Sequence, residues 1–76
     1  MEIIEELQEI FRGIFDDDEL ILSRDTTADD IEDWDSLTHM QLILEIEKKY
    51  NIRFTTAEIK KAANVGEFID IIKEKI

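Results

Sequence analysis

Glu32-Asp33-Trp34-Asp35-Ser36-Leu37 is the stretch at which the chain changes character. Before it runs a polar, acidic connector, and after it apolar residues recur with helical spacing as far as Tyr50. The first N–H groups of a helix need acceptors, and Asp35 stands one position ahead of the pattern, where its carboxylate can accept from the first turn. The spacing therefore predicts a helix over residues 36–50 with Asp35 as its N-cap and Ser36 as its first helical residue. From there the Ser36 hydroxyl projects outward beside the positive end of the helix dipole. A phosphate attached at that point would be stabilised by backbone donors and by the dipole. Leu37 provides an apolar neighbour.

Upstream, Ile3, Ile4, Leu7, Ile10, Phe11, Ile14 and Phe15 recur at three- and four-residue steps with Glu5, Glu6, Glu9 and Arg12 between them, the pattern of an amphipathic helix over residues 2–15. Gly13 loosens its last turn by about 1 kcal/mol relative to alanine. Asp16-Asp17-Asp18-Glu19 then places like charges at the negative pole of that helix and ends it. The acidic run lacks the glycine and the distant glutamate of a calcium loop, so a solvated charge run is expected and any calcium or magnesium site there is weak. From Asp16 to Asp35 no long element is evident. Leu20, Leu22, Ile31 and Trp34 are placed to pin this connection across the bundle, with a capped turn at Thr27-Ala28-Asp29-Asp30.

The second helix carries two apolar stripes. With Ser36 at zero and about 100° per residue, Leu42, Ile43, Ile46 and Tyr50 fall between about 240° and 340°, a core-facing sector. Leu37, Met40 and Leu44 lie near about 40° to 100°, with Glu47 on the same side. This second stripe either packs under the long loop or forms an apolar patch for a partner. His39 falls on the core side, one turn from Ser36. A Ser-His-Asp nucleophile is excluded, because adjacent Asp35 and Ser36 cannot orient the histidine and no oxyanion hole or pocket-forming loops are evident. His39 is expected to be a satisfied residue at the core edge.

Downstream, Ile52 and Phe54 alternate inward across the break at Asn51-Ile52-Arg53-Phe54. Thr55-Thr56-Ala57-Glu58 is a capping box that opens a short helix over residues 56–62, with Ile59 and Ala62 facing the bundle. Asn64-Val65-Gly66-Glu67 repeats the cap, and Phe68, Ile69, Ile72 and Ile76 mark a core face on a fourth helix over residues 65–75. Gly66 is expected to relieve crowding where the short third helix meets the fourth. The fold class is thus all-α: a four-helix bundle of three longer helices and one short third helix, with a long loop between the first and second.

Composition narrows the function. Seventy-six residues are expected to form a single domain, 1–76, too small for a large catalytic core. Twenty acidic against nine basic side chains give a net charge of −11. This disfavours nucleic acid and anionic membranes and favours partners with basic patches. No cysteine is present, which excludes disulfides and thiolate metal sites. The first residues lack the basic region and apolar run of a targeting segment, and no run reaches the roughly 18 apolar residues of a membrane span, so a cytoplasmic location is expected.

Asp35-Ser36-Leu37 at the head of a helix, midway along an acidic four-helix chain of this length, resembles the acyl carrier proteins over all 76 residues. The resemblance implies a non-enzymatic carrier in which the serine at position 36 holds 4′-phosphopantetheine through a phosphodiester, flanked by Asp35 and Leu37. Cargo, acyl or aminoacyl, would ride on the arm as a thioester, and Met40, Leu44 and Glu47 would extend the docking surface. The implied partners are a phosphopantetheinyl transferase, an acyl- or aminoacyl-activating ligase and acyl transferases with basic docking surfaces; a monomer is expected. Asp33 stands where many such carriers have glycine, and Trp34 where fatty-acid carriers have a small residue. Gln41, Lys48 and Lys49 occupy positions resembling acidic ones in those carriers. These departures lean towards a specialised pathway. The alternative is a non-catalytic helical interaction module in which the Leu37-Met40-Leu44 stripe binds a partner helix and Ser36 is only a helix cap.

Overall fold

The amphipathic pattern at the N-terminus becomes α1 (Ile3–Phe15), followed by α2 (Ser36–Tyr50), α3 (Thr56–Lys61) and α4 (Val65–Lys75), in a computed structural model that describes residues 2–76. Two boundaries differ from expectation by one residue. Glu2 is extended (φ −71°, ψ 148°) and its N–H donates to Glu5 Oε1 at 3.2 Å, so it precedes the first helix. Ala62 leaves helical geometry (ψ 65°) after α3 and is fully buried.

α1 packs against α2 and α4. The centre of the bundle is Leu7 and Phe11 of α1, Leu42, Ile43 and Ile46 of α2, and Val65, Phe68 and Ile72 of α4. Fully burying side chains of this size stabilises the fold by about 1.5–3 kcal/mol each. The remaining apolar residues of α1 are half-buried around this centre. On α4 the expected face was one residue short and one too long: Ile71 is buried, whereas Ile76 lies past the helix end and is exposed.

Both longer N-terminal helices stop at a left-handed residue. Asp16 (φ 51°) lets the Asp17 N–H reach back to the Arg12 carbonyl at 3.1 Å, and Asn51 (φ 56°) lets Ile52 reach Glu47 at 3.2 Å. Asparagine and aspartate tolerate this geometry better than most residues. Ile52 and Phe54 then turn inward, as their alternation predicts. Tyr50 ties the end of α2 to α1 by donating to Glu6 Oε1 at 2.7 Å. Burial, with the Glu6 carboxylate beside it, holds that phenol well above the ordinary tyrosine range.

The long loop 16–35 is fixed at both faces. Leu22, Ile31 and Trp34 are buried and Leu20 half-buried, the four residues whose pattern marked them as pins. Polar groups of α1 complete the attachment: Gln8 Oε1 accepts from the Leu22 N–H at 2.9 Å and Arg12 Nε donates to the Leu20 carbonyl at 2.8 Å. At the far side the loop caps α4. Val65 N–H donates to the Thr26 carbonyl, Gly66 N–H to Arg24, and Glu67 N–H to the Asn64 side chain. An added Cβ at Gly66 would lie 3.0 Å from the Arg24 carbonyl oxygen, so its crowding comes from the long loop and not from α3. The twenty-residue connection is therefore structured without a helix of its own.

Candidate functional site

The head of α2 is built as the sequence predicts, with one addition. Asp35 is extended, and its Oδ1 accepts from the N–H groups of Leu37 at 3.0 Å and Thr38 at 3.1 Å. Thr38 Oγ1 reciprocates by accepting from the Asp35 N–H at 2.8 Å and lies 2.9 Å from the Asp33 carbonyl, to which it donates. Thr38 was not singled out because a capping box normally carries glutamate or glutamine there. Its short hydroxyl does the same work, and Asp-x-x-Thr was the available signal. The Thr38 backbone N–H holds the Asp35 carboxyl below the ordinary aspartate range, with desolvation opposing it.

Ser36 is the first residue of α2 and is exposed. The cap is the Asp35 carboxylate, so the serine hydroxyl does not serve as one. One expectation changes: Asp35 already takes the Leu37 and Thr38 N–H groups, and a phosphate on Ser36 could not also use them. It would sit outside the cap, near the Ser36 N–H and the positive helix end, with Lys60 on the opposite rim.

Beside Ser36 lies an open cleft of about 480 Å³ between the head of α2 and α3. Trp34, His39 and Met40 line it on the α2 side, and Ile59, Ala62 and Ala63 belong to α3 and the residues just after it. The α3 side went unnoticed in the sequence because Ile59 and Ala62 read simply as bundle contacts. Ala62 and Ala63, just past the end of α3, line the cleft with small side chains.

His39 lies at this cleft with both ring nitrogens engaged. Trp34 Nε1–H donates to Nδ1 at 3.0 Å, and Nε2 lies 3.0 Å from the Ile59 carbonyl oxygen. The ring is far from any arrangement that could deprotonate Ser36, since neither nitrogen is directed at it.

The second stripe of α2 lies on the surface and not under the loop: Leu37 is 69%, Leu44 55% and Met40 43% exposed. Gln41 and Lys48 flank it, also exposed. Glu47 departs from this surface in one respect, because its Oε2 accepts from the Phe54 N–H at 2.8 Å and thereby serves the α2–α3 turn. Among the described residues no cluster of three histidine, aspartate or glutamate side chains is arranged to hold a metal ion, and no helix is long and apolar enough to cross a membrane.

The family described as "Phosphopantetheine attachment site" matches residues 1–72. The solution structure of a holo acyl carrier protein from Geobacter metallireducens superposes with a TM-score of 0.91 at 45% identity, covering 99% of this chain and 86% of that one. The chain belongs to the acyl carrier proteins. It is a carrier and not an enzyme, and its cofactor is a covalently attached 4′-phosphopantetheine. The head of α2 fits such a group: an exposed hydroxyl on a rigid, capped helix end, with an apolar cleft alongside and a cation on the rim.

Proposed function

We propose that Ser36 is the attachment residue and that the chain presents an acyl or aminoacyl group to successive enzymes from the arm it bears. When bound, the arm supplies the thiol that holds the cargo as a thioester. The observation that carries this reading is the placement of Ser36, exposed at the first position of α2 between the capping Asp35 and the exposed Leu37. Asp35 fixes the helix end, and the fixed end places the Ser36 side chain on the exposed surface, within reach of an incoming transferase. Carrier proteins work with a phosphopantetheinyl transferase and with acyl-handling enzymes; for this chain a ligase that activates its own acyl or aminoacyl group is the finer assignment.

Leu37, Met40 and Leu44 form the docking surface in this reading, with Asp35 at one end. Glu47 contributes at the margin only, because one of its oxygens belongs to Phe54. Gln41 and Lys48 on the rim favour partners other than the basic clefts that suit an acidic strip, which fits a specialised pathway. A monomer in the cytoplasm completes the proposal. The interaction-module alternative loses its premise that Ser36 caps the helix, since Asp35 does so.

Co-expression with a broad phosphopantetheinyl transferase tests the assignment by intact mass. The wild type is expected to gain one pantetheine adduct, and Ser36→Ala to fold with unchanged helicity and gain none. An adduct on the alanine variant, or none on the wild type, would overturn it.

A further inference from the structure

We propose that His39 is a specificity-determining latch that holds α3 to the head of α2, confining the cargo to the surface cleft and keeping long acyl chains out of the bundle. The proposal rests on Ser36 as the attachment residue, since the tether sets which cleft the cargo meets.

Three observations carry it. First, indole nitrogen is a donor only, so the Trp34 contact requires Nδ1 of His39 to accept, and Nε2–H then donates to Ile59. The ring thus joins the loop before α2, α2 itself and α3. Second, α3 has few other ties besides Ile59 against the core and the buried Ala62 at its end. None of its six residues is buried, and the Ala63 N–H, which a continuing helix would give to the Ile59 carbonyl, turns instead to Lys61 at 2.7 Å. His39 supplies the missing donor and so caps α3 from outside. Apart from the local caps, the Lys75–Glu58 pair at 3.0 Å is the polar contact holding α3 to another helix among the described residues.

Third, aromatic rings pack directly beneath the latch. Trp34 stacks on His39 (centroids 6.0 Å, 21°) and on Phe68 (6.2 Å, 27°), and meets Phe11 edge-on (5.3 Å, 88°). A chain entering between α2 and α3 would have to part these rings and strand two half-buried polar groups, the Trp34 N–H and the Ile59 carbonyl. An acyl group in the surface cleft meets no such obstacle, because that cleft is open with His39 in place.

The test uses acetyl, butyryl and octanoyl forms of the wild type, His39→Ala and His39→Gln, each loaded from the matching acyl-coenzyme A by a broad transferase and verified by intact mass. In the wild type the melting temperature is expected to be the same for acetyl and octanoyl forms, with the Trp34 indole N–H resonance unmoved. In His39→Ala the octanoyl form is expected to melt several degrees above the acetyl form, as the opened bundle takes up the chain. His39→Gln, whose side-chain N–H can still reach Ile59, should show a smaller chain-length effect than the alanine variant. A wild-type melting temperature that climbs with chain length, a displaced indole resonance on octanoylation, or an alanine variant indifferent to chain length would each overturn the latch. If His39→Ala does not fold, the wild-type indole signal and the glutamine variant decide alone. Failure of the wild type to load at all strikes the Ser36 assignment and the latch with it; loading followed by any of the contrary results strikes the latch only.

Discussion

Asp35 holds the head of α2 through one oxygen, and this makes the site sensitive to acid in a definite sense. Its folded-state pKa is depressed by the Thr38 and Leu37 N–H groups. Its contribution to stability is therefore fully present above the unfolded value, about 3.9, and is lost as pH falls through the lower folded value. The Leu37 and Thr38 amide resonances should titrate together in that acid window. Asp35→Asn keeps a capping oxygen but no charge, and should abolish that titration. If the asparagine variant shows the same titration as the wild type, another carboxylate is responsible. Glu58 shows the same logic on α3, where the Thr55 N–H and then Lys75 depress it.

At the scale of elements, two glycines make opposite predictions. An alanine Cβ at Gly13 would meet nothing within 4 Å, so Gly13→Ala should stabilise α1 by about 0.5–1 kcal/mol. At Gly66 the added carbon would press on the Arg24 carbonyl that accepts the Gly66 N–H, so Gly66→Ala should destabilise by about 1–3 kcal/mol. Denaturant unfolding of both variants checks the pair, and equal effects would mean that the loop is not seated against α4 as described. The contrast also shows what the sequence could and could not convey. The four helices, the Asp35, Thr55 and Asn64 caps and the pins of the long loop follow from local spacing and side-chain chemistry, so they were legible. The seat of Gly66 against Arg24, the Trp34–His39–Ile59 bridge and the small-residue wall of the cleft depend on contacts between distant segments, which periodicity does not encode. The exposure of Leu37, Met40 and Leu44 was undecided for the same reason: a stripe's angle is local, but what covers it is not.

Over the whole molecule, charge is the dominant imbalance. Among the described residues four ion pairs, Arg12–Glu9, Arg24–Asp70, Lys49–Glu6 and Lys75–Glu58, engage only a minority of the twenty acidic side chains. The surplus of eleven negative charges repels itself across a small domain, and salt screens it over about 10 Å at 0.1 M. The melting temperature should therefore rise from low to moderate ionic strength, with magnesium acting at lower concentration than sodium. A melting temperature indifferent to salt would show the carboxylates to be already well spaced. The same net charge favours partners with basic surfaces over nucleic acid or anionic membranes. The central claim, that the arm is carried on Ser36, is tested most directly by fragmenting the loaded protein in a mass spectrometer and locating the adduct. The account predicts phosphopantetheine on Ser36 alone, with Ser23 unmodified; an adduct on Ser23, or on any hydroxyl away from the head of α2, would contradict it.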